Sequence, residues 1–253
     1  MQGPRRGIIL AGHAGKKPAL QMSARNRQKT MHEEIEIKLR VGDRAALLRQ
    51  LGKLKARLRV PRSHEMNTLY DTADGALARA GQMLRIRVDR YAPRAGKRSA
   101  IRKGRAQQAV LTYKGPAQPL EMEAGGADHG TSSKHRAYKI RQEREVSVTD
   151  ADGMAAILEA VGLRPCFRYE KYRSTYSMAV AKGLKVELDE TPVGIFVELE
   201  GETEAIDRAA ALLGYGPSDY ITKSYGLLWL EQNGMAEGDA RGNARGGAHD
   251  MLF

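Results

Sequence analysis

Charged side chains recur at every second position through nearly every strand-like stretch of this chain, and that pattern limits the fold more than any other feature. Successive strand residues point to opposite faces of a sheet. Glu34, Glu36 and Lys38 therefore share one face, with Ile35, Ile37 and Leu39 on the other. Arg85 and Arg87 alternate with Leu84, Ile86 and Val88, and Thr112 and Lys114 with Leu111 and Tyr113. The pattern returns in Arg141, Glu143 and Glu145, in Lys171, Arg173 and Thr175, in Lys185, Glu187 and Asp189, and in Glu198 and Glu200. One charged face would mean only exposure to water. Repeated in almost every strand, it predicts apolar faces packed on outer helices and charged faces turned inward, into a shared lumen. Charges buried there are tolerable only if they pair or serve a ligand.

Helix signals separate the strands. Asp43 can cap a helix with Leu47, Leu48, Leu51, Leu54 and Leu58 on one face, ending before Pro61. Asp150 or Asp152 opens a second, carrying Ala155, Ile157, Leu158 and Val161. A third covers roughly Glu202–Leu213 and stops at Gly214; a fourth runs from Ser218 or Asp219 through Trp229 to Gly234. Strand 33–40, a helix, and strands near 64–71, 83–90 and 109–115 make one βαβββ half. Strand 139–148, a helix, and strands near 167–179, 184–189 and 195–200 make a second. The expected fold is α+β: an eight-stranded antiparallel β-barrel, or tunnel, with flanking helices, built from two pseudo-repeated halves. It should occupy 31–233, with flexible loops at 91–109 and 124–137. Residues 1–30 read as a disordered basic extension and 234–253 as a disordered Gly/Ala-rich tail. Met31 directly precedes the first strand, so a translation start there stays open.

The net charge of +12 is not spread over this unit. Residues 1–30 carry seven basic groups and no acid, 91–109 carry six and no acid, and the tail after Gly234 is slightly acidic. What remains is electrically balanced. That balance, with no aromatic residues interleaved in the basic runs, argues against a nucleic-acid binder. The single cysteine, Cys166, excludes an internal disulfide, and the six histidines form no zinc-like cluster. No apolar run has the length of a membrane span or signal-peptide core. A soluble cytoplasmic protein is expected. Glycines 12 and 15 before Lys16 fail the Walker spacing.

The lumen residues specify a ligand chemistry. Lys38, Arg85, Arg87, Lys114, Lys171 and Arg173 suit a polyphosphate, arginines gripping its oxygens in pairs. Glu34, Glu36, Glu198 and Glu200 suit hard divalent ions such as Mg²⁺ or Mn²⁺. Cations and carboxylates converging in one cavity are the ingredients of metal-assisted phosphoryl chemistry.

These residues also carry a family resemblance. Glu34-Ile35-Glu36-Ile37-Lys38 resembles the ExExK signature of the CYTH superfamily, the triphosphate tunnel metalloenzymes. Asn67–Thr72 with Leu84–Arg87, then Leu111–Pro116, Arg141–Val146, Lys171-Tyr172-Arg173, Leu188-Asp189-Glu190 and Phe196–Glu200 follow in the family's order. Lys223-Ser224-Tyr225, on the last expected helix, resembles its terminal lysine element. The ordered set spans essentially 33–231, and the run LTYKGP with its downstream glutamate strand is most similar to the class IV adenylyl cyclase and thiamine triphosphatase branch. The long basic loop 91–109 has no family counterpart.

The resemblance implies a metal-dependent enzyme acting on a triphosphate: ATP converted to cyclic AMP and pyrophosphate, or an inorganic or thiamine triphosphatase of the same fold. Lys38, Glu187 and Asp189 are then the catalytic candidates. Lys223 joins the six cations above in holding the triphosphate, the four glutamates hold Mg²⁺ or Mn²⁺, and Glu143 and Glu145 are charge partners in the tunnel. The expected partner is a small molecule (ATP, tripolyphosphate or thiamine triphosphate) rather than a membrane or nucleic acid, and a homodimer is compatible with the reading. A non-catalytic polyphosphate- or nucleotide-binding module is the rival from another class. It gains nothing from four carboxylates facing an anion.

Overall fold

The computed structural model describes residues 32–91, 107–122, 136–235 and 249–253. Ten strands and five helices follow in chain order: β1 His32–Val41, α1 Arg44–Lys53, β2 Arg57–Thr72, α2 Ala76–Arg79, β3 Met83–Tyr91, β4 Gln107–Lys114, β5 Gln118–Met122, β6 Arg136–Val148, α3 Ala151–Ala160, β7 Leu163–Ser177, β8 Lys185–Thr191, β9 Gly194–Glu200, α4 Thr203–Leu213, α5 Tyr225–Gln232 and β10 His249–Met251.

Eight of the strands close on themselves. The order is β1-β9-β8-β7-β2-β3-β4-β6, and β6 returns to pair with β1. All eight junctions of this ring are antiparallel. The internal repeat is visible in the pairings: exchanging β1 with β6, β2 with β7, β3 with β8 and β4 with β9 leaves the ring order unchanged. This is the expected barrel, and closure removes the free edges that an open sheet of this size would expose.

The apolar faces point outward and are covered. Ile37, Leu39, Val186, Leu188, Val197 and Leu199 pack beneath Leu47 and Leu51 of α1 and Ile206, Ala209 and Ala210 of α4. Each such aliphatic side chain, fully buried, contributes about 1.5–3 kcal/mol. Helix α3 sets Leu158 against Tyr70 and Ile86. A third cluster joins Phe167, Phe196, Tyr225, Leu228 and Met251 beneath α5. Asp43 accepts from the Ala45 and Ala46 amides, and Asp150 from that of Gly153, so both caps read from sequence are formed. Among the described residues no helix is long and apolar enough to cross a membrane.

Several boundaries differ from expectation. Helix α1 ends at Lys53 because Lys55 turns into the left-handed region (φ 52°), so Leu58 lies on β2 and is exposed. Pro61 falls in β2 at a register shift, where a missing N–H costs no ladder bond. The segment expected as one helix from 218 is a 3₁₀ turn at Pro217–Asp219, a bridge of Ile221 to Lys38, and only then α5, capped by Ser224. The 91–109 and 124–137 loops lie outside the described residues except at their ends: Tyr91 closes β3, Gln107–Ala109 begin β4, and 136–137 begin β6. The 1–30 extension lies wholly outside them. Of the 234–253 tail, 236–248 lie outside the described residues, and His249–Met251 form β10, which adds in parallel to β7 and buries Met251.

Candidate active site

Among the described residues the barrel holds a cavity of about 670 Å³, lined by cations and carboxylates in nearly equal number. Period-two alternation places them. Glu34, Glu36 and Lys38 come from β1, Arg85 and Arg87 from β3, Lys114 from β4, and Glu143 and Glu145 from β6. Lys171 and Arg173 come from β7, Glu187 from β8, and Glu198 and Glu200 from β9. Every one lines the cavity.

The charges are engaged with one another. Lys38 bridges Glu36 at 3.1 Å and Glu198 at 3.2 Å, and Lys139 reaches the same Glu36 oxygen at 3.1 Å. Lys114 pairs with Glu34 and approaches Glu143 at 3.5 Å. Arg173 is the hub of the far wall, ion-paired to Glu187, Asp189 and Glu198, with Glu65 at 3.8 Å. Lys185 holds Glu200 at 2.6 Å and Glu187 at 3.3 Å. On β3, Arg87 lies 3.1 Å from Asp89 and 3.9 Å from Glu145, while Arg85 donates to the Tyr169 hydroxyl at 3.2 Å.

Burial raises the carboxyl affinity for protons here, and the cations overturn that at some sites only. Burial pushes Glu36 up, but Lys38, Lys139 and Lys114 hold it well below the usual carboxylate range. Glu198 is likewise held down, by Lys38, Arg173 and Lys171, and Glu65 is brought to about 2 against burial by Lys171 and Arg173. At Glu143 burial wins: Lys114 opposes it, Glu34 and Glu145 reinforce it, and the carboxyl rises to about 7. Burial also raises Glu187, with Arg173 and Lys185 opposing it and Asp189 and Glu198 adding to it. Burial lowers Lys139 to about 8, with Glu36 opposing and neighbouring cations assisting.

Asp189, Lys223 and the set of four glutamates are placed differently from the other expected residues. Asp189 faces inward, but its carboxylate is wholly buried, accepting from Arg173 at 2.5 and 2.6 Å, from Lys171 at 3.0 Å and from the Tyr225 hydroxyl at 2.8 Å. It does not line the cavity, and its oxygens hold the two cations that do. Lys223 precedes α5 instead of lying on a helix, is half exposed, and pairs with Glu231 at 2.6 Å. The four glutamates do not form one cage. Glu36 faces Glu200 and Lys38 faces Glu198 in the β1–β9 register, whereas Glu34 is tied to Lys114. Among the described residues no group of three or more histidines, cysteines or carboxylates is disposed to hold a metal, because lysines and Arg173 sit between them.

Sequence reasoning missed Glu65, Asp89, Lys139, Tyr169 and Tyr225, all of which line the cavity. The first four were readable: Glu65 shares a face with Ser63 and Asn67, Asp89 follows Arg87, and Lys139 and Tyr169 precede Arg141 and Lys171 by two. Tyr225 opens a helix and had no periodic signal. It lies 5.3 Å from both the Lys38 and the Lys171 ammonium, ring centroid to nitrogen.

The chain matches a known family model, the CYTH domain, over residues 32–225. The chain belongs to the CYTH domain family. Solved CYTH-like structures agree in fold. A Vibrio parahaemolyticus protein provisionally assigned as an adenylate cyclase is 19% identical, with a TM-score of 0.58, covering 79% of this chain and 99% of its own. A Pyrococcus horikoshii protein is 22% identical, with a TM-score of 0.55 and the same two coverages. A Hippeastrum protein, provisionally assigned as an adenylyl cyclase and described with a dominant triphosphatase activity, is 20% identical, with a TM-score of 0.50, covering 80% and 97%. No protein of curated function matches the chain in sequence.

Proposed function

We propose that this CYTH domain is a divalent-metal-dependent enzyme that acts on a triphosphate inside the barrel, as a class IV adenylyl cyclase-like enzyme forming cyclic AMP and pyrophosphate. The observation that carries the reading is the buried ion network itself. Burying paired charges seldom stabilises a fold over an apolar filling. A lumen built of interchangeable ion pairs is instead a place where an incoming polyanion can take over the cations at small net cost.

In this reading Arg85, Arg87, Lys114, Lys171 and Arg173 hold the phosphates, with Asp189 and Tyr225 fixing the direction of Lys171 and Arg173. The donor chemistry fits a divalent ion without a cage. Mg²⁺ is usually held by one or two carboxylates plus phosphate oxygens, and Glu36 and Glu200 are in-register neighbours with Glu198 beside them. Bound there, the ion would neutralise charge on the phosphates and polarise the bond being broken. Lys38, between Glu36 and Glu198, orients both carboxylates. Glu187, whose carboxyl burial pushes up against Arg173 and Lys185, is the nearer candidate for a proton-handling role than Asp189, which does not line the cavity.

A triphosphatase of the same fold is the second reading, supported by the description of the Hippeastrum neighbour. Either activity belongs in the cytoplasm, where its substrates lie. Chromatographic product analysis with ATP, tripolyphosphate and thiamine triphosphate, each with Mg²⁺ or Mn²⁺, decides between the two. Cyclic AMP with pyrophosphate is the expected outcome from ATP; ADP with orthophosphate replaces the cyclase by a triphosphatase. No turnover of any of the three overturns both.

A further inference from the structure

Strand β7 is flanked by three strands, not two. β2 follows one edge along its whole length. On the other edge β8 pairs only from Tyr172 onward, and β10 takes the stretch Phe167–Tyr169 that β8 leaves. His249 stands in register with Phe167 and Met251 with Tyr169. Partners in register point to the same face of a sheet, so Met251 follows Tyr169 to the inner side. It is 1% exposed, shares one cluster with Phe167, Tyr169 and Tyr225, and does not line the cavity. Met251 therefore forms the layer directly behind the lining. Asp250, on the outer face, clamps Arg168 at 2.6 and 2.7 Å and holds the strand down.

We propose that Met251 is a positioning residue for the phosphate grip, acting through the two tyrosines it is buried with. This role rests on the triphosphate reading above and adds a residue to it. Each tyrosine steadies a different cation. The Tyr169 hydroxyl accepts from Arg85 at 3.2 Å. The Tyr225 hydroxyl donates at 2.8 Å to Asp189, the carboxylate that accepts from Lys171 at 3.0 Å and from Arg173 at 2.5 and 2.6 Å. A buried ring keeps its direction because close-packed neighbours fill the space around it. Truncating Met251 opens a cavity that the surroundings fill only in part. The rings then turn toward it, and Arg85, Lys171 and Arg173 lose the contacts that aim them. β10 also lies beyond residues 32–225, the part of the chain that matches the family.

The test measures tripolyphosphate affinity by calorimetry, with Mg²⁺, beside the urea midpoint of each variant. Met251→Ala should weaken binding about tenfold, the scale of one charged hydrogen bond, and Met251→Leu, which keeps the volume, should restore it. Met251→Val removes less than Ala; its loss should fall between the two, and it keeps the comparison readable if Met251→Ala folds poorly. Leu47→Ala, in the separate cluster under α1, should lower the midpoint comparably and leave the affinity within about twofold. In a Tyr169→Phe/Tyr225→Phe background the hydroxyls through which Met251 acts are gone. Met251→Ala should then cost less than about threefold, since residues in one network do not add. Unchanged affinity in Met251→Ala and Met251→Val despite a lower midpoint makes the residue merely structural and overturns the proposal. So does a full tenfold loss in the doubly substituted background. If the full chain binds no tripolyphosphate at all, the triphosphate reading fails and this role with it.

Discussion

Glu36 is the residue on which the candidate site converges: two lysine ammonium groups share one of its oxygens, and Glu200 lies opposite it across the strand pair. Replacing it by Gln keeps the shape and removes the charge. Turnover with Mg²⁺ should fall at least about a hundredfold, the usual scale for a lost charge-stabilising group, while the thermal midpoint stays within a few degrees. Full activity at limiting metal would remove Glu36 from the metal site. Glu143 supplies a pH signature of opposite sign to its neighbours. Its carboxyl rises from 4.5 to about 7, so the folded state holds a proton that the unfolded chain has already released. Its stabilising effect is complete at low pH and fades as pH climbs from about 4.5 through 7. Urea midpoints of the parent minus those of Glu143→Gln should decline across that window and level off above it; a flat difference contradicts the assignment. These sites were legible because each strand residue declares its face by parity. The same parity hid the distinction between Glu187, open to the cavity, and Asp189, sealed by Arg173, Lys171 and Tyr225, since two residues on one face look alike until the neighbouring strands are placed.

Among the elements, strands announced themselves and their ends did not. The outward apolar and inward charged alternation located seven of the eight barrel strands, yet Leu58 continued a leucine spacing that the left-handed turn at Lys55 cuts short. β5 and β10 escaped notice because neither alternates: β5 carries Pro119 and pairs only along β6, and β10 is three residues long. β10 nonetheless has structural consequences. It docks on β7 beside Phe167 and Tyr169, Asp250 grips Arg168 at 2.6 and 2.7 Å, and Met251 is almost wholly buried against the cluster that supports α5. Deleting 249–253 should cost about 2 kcal/mol, chiefly the methionine, read as a lower urea midpoint. A midpoint unchanged by the deletion would mean that the strand is only laid on the surface.

For the molecule as a whole, the two-fold pattern of strand pairings explains why the lumen is lined from every side. Each half contributes an ordered set of inward charges, and closing the ring brings them face to face, where a single half would leave its charged face in water. The resulting network of buried pairs is poor value as a stabiliser, so its retention throughout the barrel argues for a ligand that replaces the carboxylates as partner of the cations. Titration calorimetry of tripolyphosphate against orthophosphate, with Mg²⁺, in the parent and in Arg87→Ala tests that claim most directly. The parent should bind the triphosphate at least about a hundredfold more tightly. Arg87→Ala should lose about tenfold or more of the triphosphate affinity, the scale of a charged hydrogen bond, and little of the monophosphate affinity. Equal affinities in the parent, or equal losses for both anions in the variant, would contradict it.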